Sequence, residues 1–156
     1  MGGRAAISTM FLGTFTPTVD DRGRLAIPTK YRPALADGLV ITRGFDPCLT
    51  LWDLDEWRGF SERVGELSLL QTDGRRLQRH IFAGATDAVP DRLGRILIPA
   101  YLREYASLEL GAEVFVAGAR NRVEVWSREN WENESSTNGR EGQRIAQQLA
   151  DLGLQL

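Results

Sequence analysis

The sequence predicts an α+β, β-rich fold in which two similar halves of one chain pair about a pseudo-two-fold axis. Three observations lead there. First, the chain repeats itself. Asp20 to Arg32 (DDRGRLAIPTKYR) and Asp91 to Arg103 (DRLGRILIPAYLR) align without a gap, matching Asp20 with Asp91, Gly23 with Gly94, Arg24 with Arg95, Ile27 with Ile98, Pro28 with Pro99 and Arg32 with Arg103. The register then slips by three residues and resumes, so that Val40 matches Val114, Gly44 matches Gly118, Trp52 matches Trp126 and Trp57 matches Trp131. Second, each copy carries short apolar runs bounded by Gly, Pro and Asp, the punctuation of β-strands and turns. Third, each half has too few strands to close a barrel alone, whereas two halves in one chain cover each other's edges. Such a duplication is the intramolecular version of a homodimer.

Each element has a local reason. Phe15 to Val19 reads as a short strand and Asp20 to Gly23 as a turn whose glycine is free to take positive φ. Arg24 to Ile27 is a second strand, ended by Pro28, and Thr29 caps a short helix through about Leu35. Leu39 to Thr42 and Leu49 to Trp52 are two more strands around a Gly44–Pro47 turn. Asp53 or Asp55 then caps a helix through about Leu67, and Asp73 caps another in which Leu77, Ile81 and Phe82 fall at helical spacing. In the second copy, Ala83 to Val89 approaches the turn, Ile96 to Ile98 is a strand, and Ala100 to Ala106 is helical. Glu113 to Ala117 and Val123 to Trp126 pair as a hairpin. Glu134 to Gly142 reads as a flexible connector, followed by a short amphipathic stripe of Ile145, Leu149 and Leu152. The expected organisation is an extension over 1–9, a repeat unit over 12–55, a helical linker over 56–82, a second unit over 83–128 and a helical tail over 129–156.

The 156 residues are 42% apolar, enough to bury a core. The one cysteine, Cys48, forms no intramolecular disulfide, which is consistent with a reducing compartment, and Cys48 with His80 cannot make an N/S metal cluster. Residues 1–9 hold Arg4 but no apolar run of signal-peptide length, and either Met1 or Met10 suits a start. No stretch is apolar for long enough to span a bilayer. The net charge of −2 is unevenly spread: from Glu129 onward five acidic residues face two arginines, while Asp20 to Arg32 holds four basic and two acidic residues. Arg75, Arg76 and Arg79 form a second basic cluster, read as structural, and Lys30 is the single lysine. Arginine suits bidentate recognition of phosphate and guanine, but it also pairs with surface carboxylates.

The Met-Phe-Leu-Gly of Met10 to Gly13, the doubled Asp-x-x-Gly-Arg with Ile-Pro after two intervening residues, Arg76 and Arg79, Gly118 and the paired tryptophans resemble the MraZ family and the wider SpoVT/AbrB group. The resemblance runs from Met10 to about Trp131. It implies a pseudo-two-fold, double-split β-barrel of the swapped-hairpin, AbrB-like kind. It also implies a cytoplasmic, nucleoid-associated regulator of transcription at the bacterial division and cell-wall gene cluster, acting as a ring-shaped homo-oligomer on double-stranded DNA with short G-rich direct repeats. Neither a cofactor, a small-molecule substrate nor a membrane belongs to that expectation.

An Asp-x-x-Gly turn sets the next arginine at the mouth of a strand. Under the resemblance, Arg24 and Arg95 reach guanine O6 and N7 in a major groove. Asp20 and Asp91 either orient those guanidiniums or accept from cytosine N4, and Arg22 and Arg92 flank the tips toward phosphate. The loops are not chemically equal, because Arg22 aligns with Leu93 and Asp21 with Arg92. Lys30, Arg32 and Arg103 sit on or beside the short helices and either contact phosphate or form a solvated face. The plainer alternative at each turn is an internal Asp–Arg pair that merely fixes it. Trp52, Trp57, Trp126 and Trp131 are expected to pack, and His80 and Cys48 carry no assigned chemistry. A second function class is an oligomeric protein-interaction module of the same fold without sequence-specific DNA binding. An antitoxin-like partner role is a further alternative. An enzyme is the weakest, since no phosphate loop, nucleophile elbow or metal motif is present.

Overall fold

The computed structural model describes residues 10–154. Its strands and helices follow in the order β1 (Thr14–Phe15), β2 (Arg24–Ala26), α1 (Arg32–Leu35), β3 (Leu39–Arg43), β4 (Leu49–Asp53), α2 (Leu54–Gly65), α3 (Thr72–Gln78), β5 (Thr86–Ala88), β6 (Arg95–Leu97), α4 (Ala100–Ala106), β7 (Val114–Gly118), β8 (Val123–Ser127) and α5 (Arg128–Asp151). A 3₁₀ turn (Thr29–Tyr31) precedes α1 and a π-helical turn (Arg79–Ala83) follows α3.

The strands form a six-stranded sheet in the order β1-β7-β8-β4-β3-β5 and a two-stranded ribbon of β2 with β6. Both orders read the same from either end once the copies are exchanged, which is the pseudo-two-fold axis. Each copy keeps its own hairpin, β3–β4 or β7–β8, and gives its first strand to the other: β1 pairs with β7, and β5 with β3. The hairpins join through β4 and β8, where Thr50 faces Glu124. This is the swapped arrangement that the repeat and the resemblance predict.

The copies share one core. Val19, Leu25, Ile27, Tyr31, Leu35, Ile41 and Leu51 pack in a single buried cluster with Ile96, Ile98, Leu102, Val114, Val116, Val123 and Val125. Tyr31 packs T-shaped against Phe11 and Phe15, ring centroids 5.3 Å apart in each pair, and donates its hydroxyl to the carbonyls of Leu12 and Gly13. That anchors the first strand across the fold. The tryptophans pack as expected: Trp52 stacks on Phe60 at 4.4 Å, and Trp131 on Phe115 at 5.8 Å.

Three local expectations are corrected. Thr29 caps nothing: Pro28 precedes the 3₁₀ turn in extended conformation, and Tyr31 N–H donates to the Pro28 carbonyl. Asp73 lies inside the first turn of α3 rather than at its cap, which is Gln71, and there its charge still suits the helix dipole. Glu134 to Gly142 is not a connector but the middle of α5. Its Ser, Thr, Asn and Gly residues are weak helix formers, yet the helix is nucleated upstream. Ser127 caps it by accepting from Asn130 N–H, Trp131 anchors the first turns, and side-chain bonds such as Arg140 to Ser136 and Arg144 to Gln148 continue along the surface. The expected extension over 1–9 lies outside the described residues.

Candidate nucleic-acid interface

The β2–β6 ribbon is three residues long on each strand, with Arg24 opposite Leu97, Leu25 opposite Ile96 and Ala26 opposite Arg95. Alternation along a strand sends Leu25 and Ile96 into the core and leaves Arg24, Ala26, Arg95 and Leu97 on the outer face. The two arginines are therefore diagonal neighbours, with Cα atoms about 7–8 Å apart.

Each arginine follows a tight turn. Gly23 N–H donates to the Asp20 carbonyl and Asp20 N–H to the Arg24 carbonyl, and the same pair of bonds links Gly94, Asp91 and Arg95. Gly23 and Gly94 sit at φ of +83° and +77°, a conformation that disfavours a side chain. The Asp20 carboxylate accepts from Arg22 N–H and Arg24 N–H at one oxygen and from Arg24 Nε at 2.8 Å at the other. Asp91 repeats the set with Leu93 N–H, Arg95 N–H and Arg95 Nε at 2.9 Å. These donors, led by the backbone N–H of Arg24, hold the Asp20 carboxyl down at about 2, and the equivalent N–H of Arg95 lowers that of Asp91. Each aspartate is thus hydrogen-bonded to the guanidinium of its own turn.

The Asp–Arg pairs are internal but not buried, since the Arg24 and Arg95 side chains are 30% and 31% exposed. Only Nε is engaged. Among the described residues, Nη1 and Nη2 of both arginines have no hydrogen-bond partner. The turn thus fixes the base of the fork through Nε and leaves its tips unengaged among the described residues.

Arg22 and Arg92 are exposed at the turn tips, and Lys30 is exposed on the 3₁₀ turn. Arg32 and Arg103 are different. Arg32 Nε donates to the Ile27 carbonyl at 2.8 Å and Arg103 Nε to the Ile98 carbonyl at 3.0 Å, so both half-buried side chains fold back over their own strand ends. Sequence reasoning did not find this use; the recurrence of arginine at matching places in both copies was its one trace. In the basic cluster, Arg75 donates to the Leu69 carbonyl at 2.7 Å, while Arg76 and Arg79 are exposed without an ion pair among the described residues. His80 Nε2 lies 2.9 Å from the Gly44 carbonyl, and Cys48 is buried, which pushes its thiol pKa well up. No group of His, Cys, Asp and Glu among the described residues is placed to hold a metal, and no described helix is long and apolar enough to cross a membrane.

The sequence model of a family described as "MraZ protein, putative antitoxin-like" matches twice, over residues 10–80 and 81–150. The chain belongs to the MraZ family. Each MraZ unit so matched holds a first strand, a turn with its ribbon strand, a hairpin and the helix that follows. The "Transcriptional regulator MraZ" of Thermomicrobium roseum is 48% identical over 143 residues, which is 92% of this chain and 99% of that protein. The protein of the same name from Roseiflexus castenholzii is 46% identical over the same length, and that of Caldicellulosiruptor saccharolyticus is 40% identical over 145 residues. The Asp-x-x-Gly-Arg turns, one in each MraZ unit, lead into the two strands of a single ribbon.

Proposed function

We propose that the chain is a transcriptional regulator that binds double-stranded DNA through the outer face of the β2–β6 ribbon. Relatives bearing the name "Transcriptional regulator MraZ" support the class of function. The observation that carries the site is the pair of guanidiniums on one face, each oriented through Nε with both Nη atoms open. A two-stranded ribbon fits a major groove about 12 Å wide, and parallel N–H donors match guanine O6 and N7. Arg24 and Arg95 read guanine, Asp20 and Asp91 hold them, and Arg22, Arg92 and Lys30 meet phosphate. The target proposed from the family resemblance is a set of G-rich direct repeats upstream of the division and cell-wall gene cluster, bound in the cytoplasm at the nucleoid by a homo-oligomeric ring. Repetition of the ribbon around a ring raises effective concentration, which a chain of net charge −2 needs.

The test is a binding assay at moderate salt with upstream DNA from that cluster. Arg24→Ala with Arg95→Ala should abolish selective binding and leave the oligomer intact, and affinity should fall steeply with salt. Unchanged affinity in the double variant rejects the ribbon. A second reading, a protein-interaction module, draws on the exposed Phe45, Leu69 and Leu70; it predicts no selective shift with any duplex.

A further inference from the structure

The two turns are tied to the opposite copy. Ile27 N–H donates to the Gly94 carbonyl and Ile98 N–H to the Gly23 carbonyl, so each ribbon strand ends on the other copy's turn. Arg32 and Arg103 complete that tie. With Nε on the Ile27 carbonyl, the Arg32 side chain lies directly over Gly94: a methyl group placed on Gly94 would meet Arg32 Cζ at 2.6 Å and Cδ at 2.8 Å. Arg103, with Nε on the Ile98 carbonyl, covers Gly23, where a methyl group would lie 3.0 Å from Nε and 3.3 Å from Cζ. The glycine at each turn therefore meets two demands, positive φ and room for a guanidinium from across the axis.

We infer that Arg32 and Arg103 are positioning residues that act across the pseudo-two-fold axis, Arg32 holding the 91–94 turn that aims Arg95 and Arg103 holding the 20–23 turn that aims Arg24. This inference rests on the proposed reading of DNA by Arg24 and Arg95. A phosphate contact needs positive charge alone. Holding the turn needs the planar fork, which reaches the strand-end carbonyl with Nε while Nε and Cζ lie over the glycine. Lysine offers a hydrated point charge on a flexible stem and does neither.

Lysine substitution is the test, read in two arms. Without DNA, amide exchange in Arg32→Lys should rise about tenfold at Leu93 and Gly94 and stay unchanged at Arg22 and Gly23, and Arg103→Lys should show the mirror image. With a G-rich direct-repeat duplex selected from a random pool by the parent chain, each lysine variant should lose about tenfold in affinity while its salt slope stays that of the parent. Combination with arginine truncations should show crossed coupling: Arg32→Lys is non-additive with Arg95→Ala and additive with Arg24→Ala, and Arg103→Lys the reverse. Melting curves check that the fold persists, and the looser contact at Gly23 makes Arg103→Lys the safer variant should Arg32→Lys unfold. Parent-like exchange and affinity in the lysine variants overturn the inference, because charge alone then suffices. Coupling within a copy rather than across copies also overturns it. If the exchange pattern crosses the axis but the parent selects no duplex, the inference about the turns stands and the DNA reading fails.

Discussion

Asp20 is where the chemistry of the turn concentrates. Its carboxylate accepts three hydrogen bonds from the chain, and its pKa falls from an ordinary value of 3.8 to about 2, first through the backbone N–H of Arg24 and then through the guanidinium and the N–H of Arg22. A carboxyl whose pKa is lower folded than unfolded stabilises the fold fully above the unfolded value, and that contribution is lost as pH falls through the folded value. The Asp20 pair should therefore be fully formed throughout the neutral range and fade between about pH 4 and 2. Carboxyl carbon shifts followed by NMR should give Asp20 a midpoint near 2, and the Arg24 Nε–H resonance should broaden over the same interval. A midpoint in the ordinary carboxylate range would mean that the turn does not hold its arginine. By the same sign, duplex affinity should not respond to Asp20 between about pH 5 and 8.

The β2–β6 ribbon is the element that turns these residues into a surface, and its two ends are unequal. Leu97 lies directly across from Arg24 and is 58% exposed, whereas the residue across from Arg95 is Ala26. A large apolar side chain on the outer face of a polar ribbon suits the methyl group of thymine, the one apolar feature of a base edge in the major groove. Leu97→Ala should weaken binding about threefold to tenfold on a duplex carrying thymine beside the guanine proposed for Arg24, and the loss should vanish when deoxyuridine replaces that thymine. An equal loss on both duplexes would assign Leu97 to packing. Much of this ribbon was legible in the sequence, because its signals are local: Gly at a positive φ, Pro ending each strand, and alternation of Leu25 and Ile96 with the arginines. The unbroken middle of α5 was not, because weak formers over Glu134 to Gly142 describe local preference, while a cap at Ser127 and the Trp131–Phe115 stack decide from outside that window. The folding back of Arg32 and Arg103 was hidden for a related reason. It joins residues of different copies, Arg32 with Gly94 and Arg103 with Gly23, and one sequence shows such a pair as two unrelated positions.

At the scale of the whole molecule, the swap leaves no half that is complete. Each strand of the first copy has a neighbour from the second: β1 has β7, β2 has β6, β3 has β5 and β4 has β8. Among the described residues, the strands paired within a copy are β3–β4 and β7–β8, beside one isolated bridge between Val19 and Leu25, and an isolated two-stranded hairpin is marginal in water. The core divides the same way, with Val19, Leu25 and Ile27 in one cluster with Ile96, Ile98 and Val116. A chain cut between residues 80 and 81, at the boundary of its two MraZ units, should therefore give two pieces that are largely unfolded as monomers. Mixed one to one, they should recover dispersed amide spectra with a melting temperature that rises with concentration, since the folded state is now bimolecular. The 10–80 piece carries the same strand pattern as its counterpart, so at high concentration it should also pair with itself, more weakly, because Arg32 would then cover Gly23 rather than Gly94 and Leu25 would meet Leu25 rather than Ile96. Sedimentation with spectra of each piece and of the mixture separates these cases. A 10–80 fragment that folds as a stable monomer would show that its strands need no second copy, and the shared ribbon would then be an addition to each half rather than the condition for folding either.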